Sequence, residues 1–193
     1  TSAVYAVDVH FADALRGKFN SGEYLIISHR WMAPSEPDYD GRQMDAIRNY
    51  LRAHREVRYV WYDFWCMPQG KDRSLEDLVY FKVRLTYINV LYATMRTLIL
   101  LDKSYQSRFW TQYEAWLSLQ LVTPEGLRSA SKVERRCELA LIYGTNEKMG
   151  EALFATWAEK TLEEAQEILS QPDVEVTSQN DKKKQLKRLV EFK

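Results

Sequence analysis

A tryptophan and a glutamate, Trp110 and Glu114, stand four residues apart. At the start of a helix that spacing puts both side chains on one face, one turn apart. A carboxylate so placed can stabilise a developing positive charge, and the indole beside it can stack on an aromatic ring. The same spacing also suits a core tryptophan and a glutamate that favours the first helical turn, so the pair alone leaves both readings open. Other polar and aromatic side chains gather in three segments: Ser28-His29-Arg30-Trp31, Asp63-Phe64-Trp65-Cys66-Met67-Pro68-Gln69, and Asp102 through Trp110. A pocket for a planar, hydroxyl-rich ligand needs that mixture. Each has a plainer reading: Arg30 paired with an acidic neighbour such as Asp63, Trp31 and Trp65 in packing, Asp63 capping a turn. Cys66, His29 and Asp63 would compose a Cys–His–Asp nucleophilic site if the first two strands are neighbours; the plainer reading of Cys66 is structural.

Several chemistries are missing from the sequence. It contains no Gly-x-Gly, no Gly-x-x-x-x-Gly-Lys and no Gly-x-Ser-x-Gly, which argues against a dehydrogenase-type dinucleotide site, a P-loop and an α/β-hydrolase elbow. The three histidines, His10, His29 and His54, and the two cysteines, Cys66 and Cys137, show no metal-type spacing, so no protein-built metal site and no disulfide framework is expected. Two unpaired thiols suit a reducing, cytoplasmic compartment.

The elements that position these side chains follow from periodicity. Continuous apolar runs at Tyr24–Ile27, Tyr59–Tyr62 and Thr97–Leu101 suit strands buried on both faces of a parallel sheet, with weaker runs at Leu139–Tyr143 and Val174–Val176. Helical spacing runs from Arg42, from Leu75, after Trp110 as far as Leu121, through Glu147–Ser170 as one or two helices, and through the tail Asp181–Lys193. Lys182-Lys183-Lys184 reads as a solvated helix end. A short lead-in helix is expected before Gly22. Strands alternating with helices, joined by right-handed crossovers, predict one α/β domain over 1–193: a flavodoxin-like three-layer sandwich with a mainly parallel central sheet of about five strands. The sheet should have Tyr24–Ile27 at its centre, and the three polar segments should follow the carboxyl ends of its strands, where such sheets bind ligands.

Composition narrows the partners. The 193 residues carry 27 Lys and Arg against 27 Asp and Glu, which argues against nucleic acid. No apolar run is long enough for a bilayer, and no secretion signal is visible. A chain opening Thr1-Ser2-Ala3 reads as an excised piece.

These segments together resemble known families. Ile26-Ile27-Ser28-His29-Arg30 looks like the first strand and polar loop of TIR (Toll/interleukin-1 receptor) domains. Leu98 through Glu114 resembles their third strand, following loop and Trp-x-x-x-Glu helix, although Thr111 stands where a cysteine is common. Val60 through Gln69 resembles the Trp-x-Asp-x-x-Cys-x-x-Gln signature of HET (heterokaryon incompatibility) domains. The match spans roughly 23–121, with 1–22 as lead-in and 122–193 beyond it. The resemblance implies an NAD glycohydrolase in a cell-death, immune or stress signalling protein. Glu114 would be catalytic, and Ser28, His29, Arg30, Trp31, Asp63, Tyr105, Arg108 and Trp110 would bind NAD as substrate, with no cofactor. It equally implies self-association through the same domain, with a non-catalytic interaction module as the alternative.

Overall fold

The computed structural model describes residues 4–19, 22–70 and 72–189. Its central sheet joins four parallel strands in the order β2-β1-β3-β6: β1 (Tyr24–Ser28), β2 (Tyr59–Trp61), β3 (Arg96–Leu101) and β6 (Cys137–Leu141). Tyr24 pairs with Tyr59 on one side of β1, and Leu25 with Arg96 on the other. The expected central position of β1 is therefore found. Strand order reverses between β1 and β3, and ligand crevices of open α/β sheets lie outside the carboxyl ends at such a point.

Alternation along the strands divides the core in two. Leu25, Ile27, Leu98 and Leu100 face α2 (Arg42–Ala53) through Ile47. Ile26, Ile99 and Leu101 face the opposite layer, built from α1 (Phe11–Leu15), α4 (Leu75–Thr94), α5 (Phe109–Ser118), α6 (Glu147–Trp157), α7 (Leu162–Ser170) and α8 (Gln179–Leu189). Both faces of β1 and β3 are thus covered, which is why their sequences run apolar without alternation. A short helix, α3 (Asp63–Cys66), follows β2.

Local signals set the helix ends. Ser74 and Asp77 form a reciprocal capping box on α4, and Thr161 and Glu164 another on α7. The far end of α4 is held by Arg136. Its buried guanidinium donates to the carbonyls of Ala93, Met95 and Gln120 at 2.7, 2.7 and 2.5 Å, which satisfies carbonyl groups that the helix end would leave open. Gly150 lets α6 approach β6, since a Cβ there would meet Leu139 Cδ1 at 2.7 Å.

Four expectations need correction. Val174–Val176 forms no strand. Glu175 makes a single parallel bridge to Arg108, with Phe109 N–H donating to its carbonyl at 2.8 Å, and Val174 is buried there as part of an irregular segment. The central sheet accordingly has four strands among the described residues. The last strand runs Cys137–Leu141, two residues earlier than expected, because Tyr143 adopts a positive φ of 53° that ends extended backbone. The helix after Trp110 stops at Ser118, and an unforeseen antiparallel hairpin follows, β4 (Gln120–Thr123) and β5 (Gly126–Ser129). Lys182 is buried, not solvated: its ammonium donates to the carbonyls of Gln171 and Val174 at 2.9 and 3.1 Å. Val190 of the expected tail lies outside the described residues.

Candidate functional site

The carboxyl end of β1 delivers Ser28, fully buried, toward α5. Its Oγ donates to Oε2 of Glu114 at 2.6 Å and lies 2.5 Å from the hydroxyl of Tyr105. Ser28 has one proton and gives it to Oε2 of the carboxyl, so Tyr105 donates to Ser28. The result is a directed chain, Tyr105 to Ser28 to Glu114. Tyr105 is brought there by a 3-10 turn (Tyr105–Ser107) directly before α5, which Thr111 steadies by donating to the Tyr105 carbonyl. Tyr92, on the last turns of α4, donates to the carbonyl of Ile27 at 3.1 Å and also lies beside the Glu114 carboxyl. No sequence signal marks Tyr92, which sits inside a helical pattern.

Glu114 is only 7% exposed, not the partly exposed helix-start charge that its position suggests. Burial pushes its pKa well above the ordinary carboxyl range; the Ser28 bond opposes this, the negative charge of Asp63 adds to it, and the Tyr92 hydroxyl opposes it slightly. Burial likewise raises Tyr92 and Tyr105 well above the ordinary phenol range, so both remain proton donors.

A second cluster ties the loops above Ser28 together. Asp63 accepts from Nε2 of His29 at 2.9 Å and from the indole of Trp31 at 2.8 Å. A carboxylate only accepts, so Nε2 carries the hydrogen and Nδ1 of His29 is left buried without a partner. His29 stacks on Tyr62 with ring centroids 4.3 Å apart. Arg30 pairs through Nε with Asp102 at 2.7 Å, just past the end of β3, and not with Asp63. Gln69 closes the α3 turn by donating to the carbonyl of Met67 at 3.1 Å. The Asp-x-x-Cys-x-x-Gln segment thus braces the loop after β1 against the turn after β2. Cys66 has its backbone carbonyl held by Arg84 at 2.8 Å, and burial raises its thiol pKa. With Nδ1 of His29 unpartnered, no Cys–His pair is built.

Two expected residues make other contacts. Arg108 pairs with Glu175 at 3.0 Å on the surface. Trp110 is half-buried, its ring edge-on to Phe109 and Tyr113. Cavities of about 430 and 630 Å³ lie beside Gln112, Gln171 and Asp173, and along the exposed side of α4. Among the described residues no three His, Cys, Asp or Glu side chains cluster to hold a metal, and no helix is long and apolar enough to cross a membrane.

Compared with protein-family models, curated proteins and solved structures, the chain gives no significant match.

Proposed function

We propose that this domain hydrolyses NAD at the nicotinamide–ribose bond, with Glu114 as the group that meets the positive charge of the breaking bond. The observation that carries this reading is the Ser28–Glu114 hydrogen bond: one water-shielded carboxyl, fixed in orientation, at the sheet end where open α/β folds take ligands. Ribosylated nicotinamide is already cationic and leaves as a neutral molecule, so no general acid is required. The ribose carbon left behind gains oxocarbenium character, as in other glycosidic cleavages. A preorganised carboxylate in a dry site stabilises that charge more than water does. Burial alone favours the neutral acid, and an approaching cation favours the charged form. Water then adds to the ribose carbon and releases one proton to solvent, so that NAD and water give neutral nicotinamide, ADP-ribose and a proton.

In this reading the ligand displaces the loop after β1, freeing Arg30 for the diphosphate and Trp31 for stacking. His29 and Asp63 hold the loop edge, and Tyr105 fixes Ser28. Arg108 and Trp110 carry no part of it. The domain acts in self-associated form. A second reading, a non-catalytic interaction module, draws support from the closure of the site, Glu114 being 7% exposed.

The test is free nicotinamide released from NAD at high protein concentration, for the parent and for Glu114→Gln. Loss of about a hundredfold or more in rate, in a variant that melts no lower than the parent, is the expected result. An unchanged rate in Glu114→Gln overturns the role of Glu114. No release by the parent at any concentration favours the interaction module.

A further inference from the structure

The first three turns of α4 turn an apolar ridge to water. Leu75, Val79, Val83 and Tyr87 recur at every fourth residue and are 80%, 55%, 52% and 59% exposed. Leu78 and Tyr80 widen the ridge at 37% and 42%. A shallow cavity of about 630 Å³ runs along it, lined by Leu75, Glu76, Val79, Tyr80 and Val83. Single exposed apolar residues need no explanation, whereas a contiguous patch marks an interaction surface.

We propose that this face of α4 pairs with the same face of a second copy of the chain, antiparallel about a two-fold axis. The inference stands on the α4 surface; it gives an interface to the self-association named above and does not depend on NAD cleavage. Rows of side chains spaced four apart interdigitate with the same rows of another helix at a crossing of about −50°. A two-fold contact needs a surface complementary to itself, and the charges along α4 supply that complementarity. Its first turn carries Glu76 and Asp77; Arg73 beside it is turned onto the Gly70 carbonyl and the Phe81 ring, and Arg84 at mid-ridge stacks on Tyr80 and donates to the Cys66 carbonyl, so the ends of the ridge differ in sign. Beside Tyr87, at the other end of the ridge, lies Arg188, whose guanidinium is 5.8 Å from that ring and donates to the carbonyl of Thr86. Antiparallel pairing sets each acidic end on a basic end, twice; parallel pairing sets like on like. Six side chains exposed to this degree make a patch on the order of the 300–600 Å² found as the largest on monomers. Doubled across the axis and rimmed by charge, it reaches the roughly 1,200 Å² total at which specific interfaces begin. A reversible dimer of about micromolar strength is the expectation.

Sedimentation over about a hundredfold range of protein concentration tests this. The parent is expected to pass from monomer to dimer, while Val79→Lys and Val83→Glu, both on the exposed ridge, stay monomeric and melt as the parent does. Glu76→Arg should weaken pairing by about tenfold or more, and adding Arg188→Glu should restore it. A parent that stays monomeric throughout overturns the proposal, as does a Val79→Lys protein that dimerises like the parent. A charge-swapped double variant that melts normally yet pairs no better than Glu76→Arg overturns the antiparallel arrangement. If Arg188→Glu loosens α8, the two valine variants decide alone.

Discussion

The Ser28 hydroxyl meets the Glu114 carboxyl at 2.6 Å, from a strand end to a helix 86 positions later in the chain. Two neutral hydroxyls, those of Ser28 and Tyr92, are modest counterparts for a buried carboxyl, and burial therefore dominates and raises the pKa of Glu114. A carboxyl that keeps its proton to higher pH in the folded state than in the unfolded chain binds more protons when folded. Between the ordinary carboxylate range and its raised value, Glu114 thus makes stability fall as pH rises, by at most about 1.4 kcal/mol per pH unit. Below that window it has no such effect. Glu114→Gln should melt like the parent in acid and increasingly above it as pH climbs through the window. Thermal melts of both proteins across pH check this; parallel curves would count against the buried, proton-holding carboxyl.

Ser28→Ala leaves two buried groups short at once, the Glu114 carboxyl without its donor and the Tyr105 hydroxyl without its acceptor. An unfolding free energy lower by about 1–3 kcal/mol is expected, read by urea denaturation. A change within the scatter typical of exposed sites would show that the Tyr105–Ser28–Glu114 chain does not persist in solution.

Asp63→Asn keeps the shape but gives one amide oxygen where two carboxylate oxygens serve His29 and Trp31. The loop after β1 should loosen, at a cost of about 1–3 kcal/mol, with Trp31 emission shifted and faster amide exchange over 29–41 while α7 and α8 exchange as before. Removing the negative charge also relieves part of the upward push on Glu114, so the pH window of the first prediction should move down. Unaltered exchange in the loop would mean that the brace is not what holds it.

The lysine run separates sharply. Lys182→Ala deprives the carbonyls of Gln171 and Val174 of their donor and should destabilise by about 1–3 kcal/mol, whereas Lys183→Ala and Lys184→Ala, on the exposed side, should stay within about 0.5 kcal/mol of the parent. Equal, small effects at all three positions would restore the solvated reading of Lys182.

How much was legible varied with the range of the interaction. The continuous runs of β1 and β3 and the spacing of α2 and α4 report local burial, and those elements were readable. Val174–Val176 has the apolar content of a strand, but its pairing is settled by one distant backbone bridge to Arg108, which no window of sequence contains. The hairpin after α5 did carry a signal, Pro124-Glu125-Gly126 between Leu121-Val122-Thr123 and Leu127, masked by the helical spacing that leads to Leu121. At the site, Ser28, Tyr105 and Glu114 were named from their segments. That Arg30 pairs with Asp102, and that Tyr92 reaches the carboxyl, depends on which strand ends and helix turns become neighbours in three dimensions.

The 20 residues of α4 make a rod roughly 30 Å long, and its two halves live in different surroundings. Ile88 through Thr94 are buried apart from Leu91, clamped by the Arg136 guanidinium and carrying Tyr92 to Ile27 and Glu114, whereas Leu75 through Val83 lie mostly in water. One continuous helix therefore joins an arm that stands bare in water to the phenol hydroxyl beside the carboxyl, with one ladder of backbone hydrogen bonds running between them.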